Sequence, residues 1–220
     1  MKNYKQKTII LILIILLFSS HTIAIAQESN QEDSNGSETV YIDADHLKYE
    51  DNRTILSGNI VIRKNETTIK ANNGELLREE NKLFLTDSID VDYADGKVTS
   101  NNLTALLKEE EYIFENSVKM DYRLNEEDEN MELESDYLKI FGNNNSFNAK
   151  TNVLIRYEGK NFKGDNAEYV GEEEILYLTG NVLIEEGEDW VKSDQAKFFL
   201  GEDEGGYTAD GNVQIKIILD

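Results

Sequence analysis

Six carboxylate or carboxamide residues recur at the same place in a repeated pattern: Asp45, Asn72, Asn101, Asp136, Asp165 and Asp194. Side chains of this type bind hard cations such as calcium, and paired carboxylates carry acid catalysis. Neither chemistry fits the spacing well. The acids lack the Asp-x-Asp-x-Asp-Gly spacing of a calcium loop. No nucleophile–base pair accompanies them, and His46 is the lone histidine beyond the first 26 residues. An enzyme is therefore not expected, and neither a metal nor a cofactor is expected. The remaining reading is structural: Asp and Asn tolerate unusual backbone angles and bond to nearby backbone groups, which suits a corner.

The elements that position them are read from their neighbours. Each of the six closes a tetrad of apolar, polar, small and Asp or Asn, with starts at Ile42, Ile69, Val98, Leu133, Phe162 and Val191, spaced by 27, 29, 35, 29 and 29 residues. About twenty residues later comes a second signal, at Gly58-Asn59-Ile60, Asp87-Ser88-Ile89, Asn116-Ser117-Val118, Thr151-Asn152-Val153, Gly180-Asn181-Val182 and Gly211-Asn212-Val213. Around this second signal apolar residues alternate with polar ones, as in Leu176, Leu178, Gly180, Val182 and Ile184, which marks a strand with one buried face. Around the first signal the inward residues fall at offsets zero, two, five and seven, for example Leu133, Ser135, Leu138 and Ile140. A strand keeps one face inward across that offset only with a bulge or corner at the Asp or Asn.

Six tandem repeats of two strands, each strand about eight residues long, follow from this pattern, joined by polar turns such as Glu50 to Arg53 and Gly171 to Glu174. No repeat buries its apolar face alone, so the copies must stack. The absence of Pro agrees with long ladders that use every backbone donor. Residues 103–111, the one helix-like stretch, read as strand, turn and strand. Leu124 to Glu132 is an acidic insertion between the third and fourth copies, best read as a surface loop, with a hinge as the alternative.

The N-terminus has the layout of a secretory signal, with Lys2, Lys5 and Lys7 before an apolar run from Ile9 to Phe18 and a small-x-small site at Ala24 and Ala26. Cleavage after Ala26 is expected, giving a signal peptide over 1–26. A retained anchor is the alternative, since 8–26 is just long enough to span a bilayer. Residues 27–39 are polar and acidic, as in a disordered leader, and 40–220 carry the repeats. Removing the three lysines leaves 19 basic against 44 acidic residues, a formal charge of about −25. Nucleic acid is excluded as a partner, because its binding depends on Lys and Arg neutralising phosphates. With no Cys, there are neither disulfides nor thiolate sites.

The inward positions after the second signal are Ile60, Ile62, Ile89, Val91, Val118, Met120, Val153, Ile155, Val182, Ile184, Val213 and Ile215. Such a surface has no polar group for catalysis but can shelter alkyl chains at about 0.8 kcal/mol per methylene. The same residues can also pack against one another as a dry core. An acidic, calcium-stabilised cell-surface repeat protein is a further reading of the composition.

The Ile42 to Asp45 opening with Gly58 to Ile60, and Phe162 to Asp165 with Gly180 to Val182, resembles the OstA-type repeat of the LptA/OstA family, over roughly residues 40–218. Copies two and three depart from it, having Asp87-Ser88 and Asn116-Ser117 where the pattern has glycine, which puts the sheet geometry there in question. The resemblance implies an open, twisted β-jelly roll, two sheets over an apolar trough that receives the acyl chains of lipid A in lipopolysaccharide. It implies a periplasmic bridge between LptC-like and LptD-like proteins, or, as the alternative, an LptC-like anchored adaptor. Head-to-tail association is expected from the sequence, because the pattern runs from Val40 to Leu219 without a helix or Pro to blunt either edge. With six strands per sheet at about 4.8 Å each, one subunit would be about 30 Å long.

Overall fold

The computed structural model describes residues 40–94, 96–123, 130–200 and 206–219, and these form strands and turns with no helix. The signal, the leader and the tip of the acidic insertion (124–129) lie outside the described residues. The strands are β1 (Tyr41–Asp43), β2 (His46–Glu50), β3 (Arg53–Lys64), β4 (Thr67–Leu77), β5 (Lys82–Tyr93), β6 (Gly96–Leu106) and β7 (Glu111–Tyr122). They continue as β8 (Met131–Phe141), β9 (Ser146–Tyr157), β10 (Lys160–Val170), β11 (Ile175–Glu186), β12 (Asp189–Phe199), β13 (Gly206–Asp210) and β14 (Gln214–Lys216). Every pairing is antiparallel, and from β3 to β12 each strand pairs with its predecessor and successor in sequence.

The two ends follow the same plan in broken form. β1 and β2 lie along β3 on either side of Asp45, and β13 and β14 lie along β12 on either side of Gly211-Asn212. The first and last positions do not pair with each other, so the sheet stays open: the fold is an open β-jelly roll.

The expected strand length of eight is too short. The strands from β3 to β12 run 11 or 12 residues, and each turns a corner at its middle. Every one therefore contributes to both halves of the roll, and each half is twelve strand positions deep rather than six. At about 4.8 Å per strand the subunit is roughly 58 Å long, not 30 Å. On either side of the insertion β7 and β8 pair with each other, from Glu111 and Phe141 to Tyr122 and Met131, with one register shift at the corner.

The corner itself is also placed differently from the expectation. The left-handed backbone falls on the second signal and not on the six Asp/Asn residues. Gly58 and Asn59 have φ of 75° and 46°, and each later copy has two consecutive positive-φ residues at the matching place. Asp87-Ser88, Asn116-Ser117 and Thr151-Asn152 adopt these angles without glycine, so the central copies keep the same corner. The backbone strain that glycine avoids is carried there by residues with a Cβ.

Candidate functional site: the apolar interior and its corners

Antiparallel register aligns one inward residue from each strand into a continuous lateral row. In one half the row runs Ile62, Ile69, Val91, Val98, Met120, Leu133, Ile155, Phe162, Ile184 and Val191, each directly opposite the next. In the other half Leu85, Leu103, Phe114, Leu138, Ala149, Ala167 and Leu178 do the same. Both rows belong to a single buried cluster.

Ten of the twelve trough candidates lie in that cluster: Ile60, Ile62, Ile89, Val91, Val118, Met120, Val153, Ile155, Val182 and Ile184. The other two, Val213 and Ile215, belong to the last repeat and are 45% and 59% exposed. At the opposite end Ile42 and Leu47, which continue the two rows, are 40% and 63% exposed. The interior is thus filled along its middle and uncovered at both ends. Among the spaces in it, a cleft of about 20 Å³, room for about one water, lies between Tyr93, Met120, Tyr122, Ile140, Asn145, Ser146 and Phe147.

Aromatic rings pack where the inward row carries the small residues Ala149, Ala167 and, beyond Leu178, Ala196. Phe162 meets Phe198 edge-on at 4.4 Å, and Phe147 lies 5.4 Å from Tyr169. The Tyr169 phenol is pushed well above its ordinary range, first by burial and then by the neighbouring Tyr122 phenol. Tyr112 is raised in the same direction, again chiefly by burial. Both rings therefore stay neutral.

The six Asp/Asn residues sit on the outside of the corners, all exposed. Four accept a hydrogen bond from the asparagine of the second signal in their own repeat. Asn59 Nδ2 donates to Asp45 Oδ2 at 2.8 Å, Asn152 to Asp136 at 2.7 Å, Asn181 to Asp165 at 2.8 Å and Asn212 to Asp194 at 2.8 Å. In the second copy the polarity is reversed and shifted by one residue: Asn73, not Asn72, donates to Asp87 at 2.7 Å. Asn101 occupies the equivalent exposed site of the third copy. Each Asp is thereby tied to a neighbouring strand, and among the described residues no group of three His, Asp or Glu converges as a metal site would require.

The carboxylates also explain where glycine is used. A Cβ on Gly58, Gly180 or Gly211 would overlap the Oδ2 of Asp45, Asp165 or Asp194 and lie 2.9 Å from that residue's Cβ. Replacing Asp165 with valine is expected to cost about 1–2 kcal/mol through the lost bond. Urea melts should give the same loss with calcium and with chelator; a loss confined to calcium-containing buffer would assign the residue to a metal instead.

The sequence marks the small residue of each tetrad as inward but not the hydrogen bond that three of them make. Ser100, Ser135 and Ser193, the small residues of their tetrads, are buried, and each hydroxyl donates to the carbonyl two residues ahead at 2.8, 3.0 and 2.9 Å. They satisfy backbone that the corner turns out of the ladder. The signal was present as serine recurring before Asn or Asp, but Ala44, Ala71 and Gly164 at the same position concealed it.

No curated protein matches the sequence. Among solved structures, the chain is similar to the crystal structure of LptH, the LptA homologous periplasmic component of the lipopolysaccharide transport device of Pseudomonas aeruginosa. The likeness is at 11% identity and a TM-score of 0.33, over 83% of this chain and 96% of that one. A family model described as LptA/(LptD N-terminal domain) LPS transport protein matches residues 41–195, which take in the corner residues from Asp45 to Asp194, and the chain belongs to that family.

Proposed function

We propose that the protein is a periplasmic lipid-binding bridge that carries lipopolysaccharide from the inner to the outer membrane, sheltering lipid A acyl chains between the two halves of the roll. One observation supports this above others. The row through Ile62 and Val191 runs the full depth of the roll and surfaces at both ends, at Ile42 and at Ile215, and the other row surfaces at Leu47. An ordinary core would be capped there. A second subunit, or an LptC-like or LptD-like partner, would continue the rows by adding a strand to an open edge. Two different edges on one subunit make a head-to-tail contact that propagates.

Photo-crosslinking residues at Ile155 and Ile184 should capture lipopolysaccharide, whereas one at the outward Lys192 should not. Equal capture at all three positions would sink the proposal. Assembly is tested by sedimentation of the mature chain and of a form truncated after Gly211. A ladder of oligomers that grows with concentration and is lost on truncation of a still-folded protein is expected; a monomer throughout would refute homotypic bridging.

A further inference from the structure

The half of the roll that buries Leu85 and Phe114 has two outward rows beside the turns that follow β4, β6, β8 and β10. Across β5–β10 each strand except one places an apolar residue there, alternating between the rows: Phe84, Leu106, Ile113, Phe141 and Val170, with Asn148 as the exception on β9. The zigzag continues through Leu77 and Ile55 on one side and through Tyr177 and Phe199 on the other. All these apolar side chains face outward and are half-buried. Outward positions on these strands are not apolar in general. The next outward row toward the corner, on the same six strands, is Thr86, Asn102, Glu115, Tyr137, Lys150 and Asn166.

The stripe is also electrically balanced, in a chain of net charge −22. Across β5–β10 the charges in its two rows are Lys82, Glu111, Lys139 and Glu168, while the excess acid lies in adjoining turns such as Glu79-Glu80 and Glu109-Glu110. From β5 to β10 the signs run plus, minus, plus, minus, and read backwards they are opposite at every place. That order is complementary to itself. A second copy laid face to face about a twofold axis parallel to the strands, midway between β7 and β8, sets β5 over the partner's β10, β6 over its β9 and β7 over its β8. Lys82 then stands beside the partner's Glu168, and Glu111 beside the partner's Lys139. On facing strands the apolar residues occupy different rows, so they interdigitate: Leu106 enters between the partner's Val170 and the partner's Phe141. Six strands by two outward positions with their flanks measure about 29 Å by 14 Å. Such a contact buries on the order of 1,000 Å² in total, the low end for a specific pair, so a dimer that dissociates on dilution is expected.

We propose that this outer face pairs two copies of the chain side by side, through the stripe centred on Ile113 and Phe141. The pairing uses neither end of the roll: β1, β2, β13 and β14 take no part. It is therefore compatible with head-to-tail association, and it does not depend on what the interior holds.

Lys82→Glu and Glu168→Lys, made in separate copies, test it. Within one copy the two residues lie five strands apart, about 24 Å, so neither acts on the other directly. Each variant alone sets like charges together at both ends of the contact, whereas an equimolar mixture sets opposite charges together at both. Sedimentation of the mature chain at moderate salt should show wild type pairing as concentration rises. Each variant should need at least about fivefold more protein, and the mixture should recover the wild-type value. Equal association in all four samples, which is what contact through the ends alone gives, would overturn the pair. So would a mixture no better than its components, or a wild type that stays monomeric. If a variant loses its folded circular dichroism spectrum, benzoylphenylalanine in place of Phe84 decides, with Thr86 in the next row as the control. A covalent dimer of the chain from position 84 and not from 86 supports the pair; capture of lipid or of a different protein, absent capture, or equal capture at both positions refutes it.

Discussion

Replacing Ile155 with aspartate is expected to abolish the cooperative fold. Ile155 is fully inaccessible and lies between Leu133 and Phe162 in the apolar row. A carboxylate there must either ionise without a partner or stay protonated without hydrogen-bonding equals, at a cost of several kcal/mol. Domains of ordinary stability have roughly 5–15 kcal/mol in total. Urea denaturation followed by circular dichroism should show no folding baseline, or a midpoint lowered by about 1 M or more relative to wild type. The outward substitution Lys192→Asp, one residue beyond Val191 and exposed, should shift the curve little. A normal melt for Ile155→Asp would mean that water already reaches the interior.

The second large effect is at the corners and has opposite signs at two equivalent sites. Gly180 has φ of 77°, and a methyl there would drive Asp165 off Asn181. The left-handed angle costs an alanine about 1 kcal/mol, and the exposed hydrogen bond is worth about 1–2 kcal/mol. Gly180→Ala should therefore lose about 2–3 kcal/mol. Thr151 holds the same corner position in the fourth copy with φ of 64°, an uncomfortable angle for a β-branched residue. Thr151→Gly should gain about 1 kcal/mol. Thermal melts of the pair check both at once. If Thr151→Gly destabilises, the threonine makes a contact that outweighs its strain.

These corners also explain what could be read in advance and what could not. The inward stripes were legible because parity survives in the strands of the second signal: Leu56, Gly58, Ile60 and Ile62 remain on one side of an unbroken alternation. That same property hid the corner. Two consecutive left-handed residues, Gly58 and Asn59, turn the chain without changing parity, so the pattern reads as a straight strand. In the partnering strands the break at Ala71 to Gly74 does change parity, and the expectation assigned the whole corner to that side. The shortened strand estimate and the underestimated depth of the roll follow from treating one bent strand as separate pieces. Val213 and Ile215 are equivalent to the other trough candidates by repeat position yet differ from them in exposure. Repetition predicts equivalent positions, but a terminal repeat lacks the neighbour that would cover it.

The ladder from β3 to β12 joins only strands that follow one another in sequence, and this bears on how such a chain can change over evolutionary time. Removing or duplicating one hairpin changes the span by two strand spacings, about 10 Å, and leaves every other pairing as it was. Span is therefore a heritable quantity counted in hairpins. A lineage could therefore lengthen or shorten the apolar interior by tandem duplication or loss within the gene, without having to evolve a new interface.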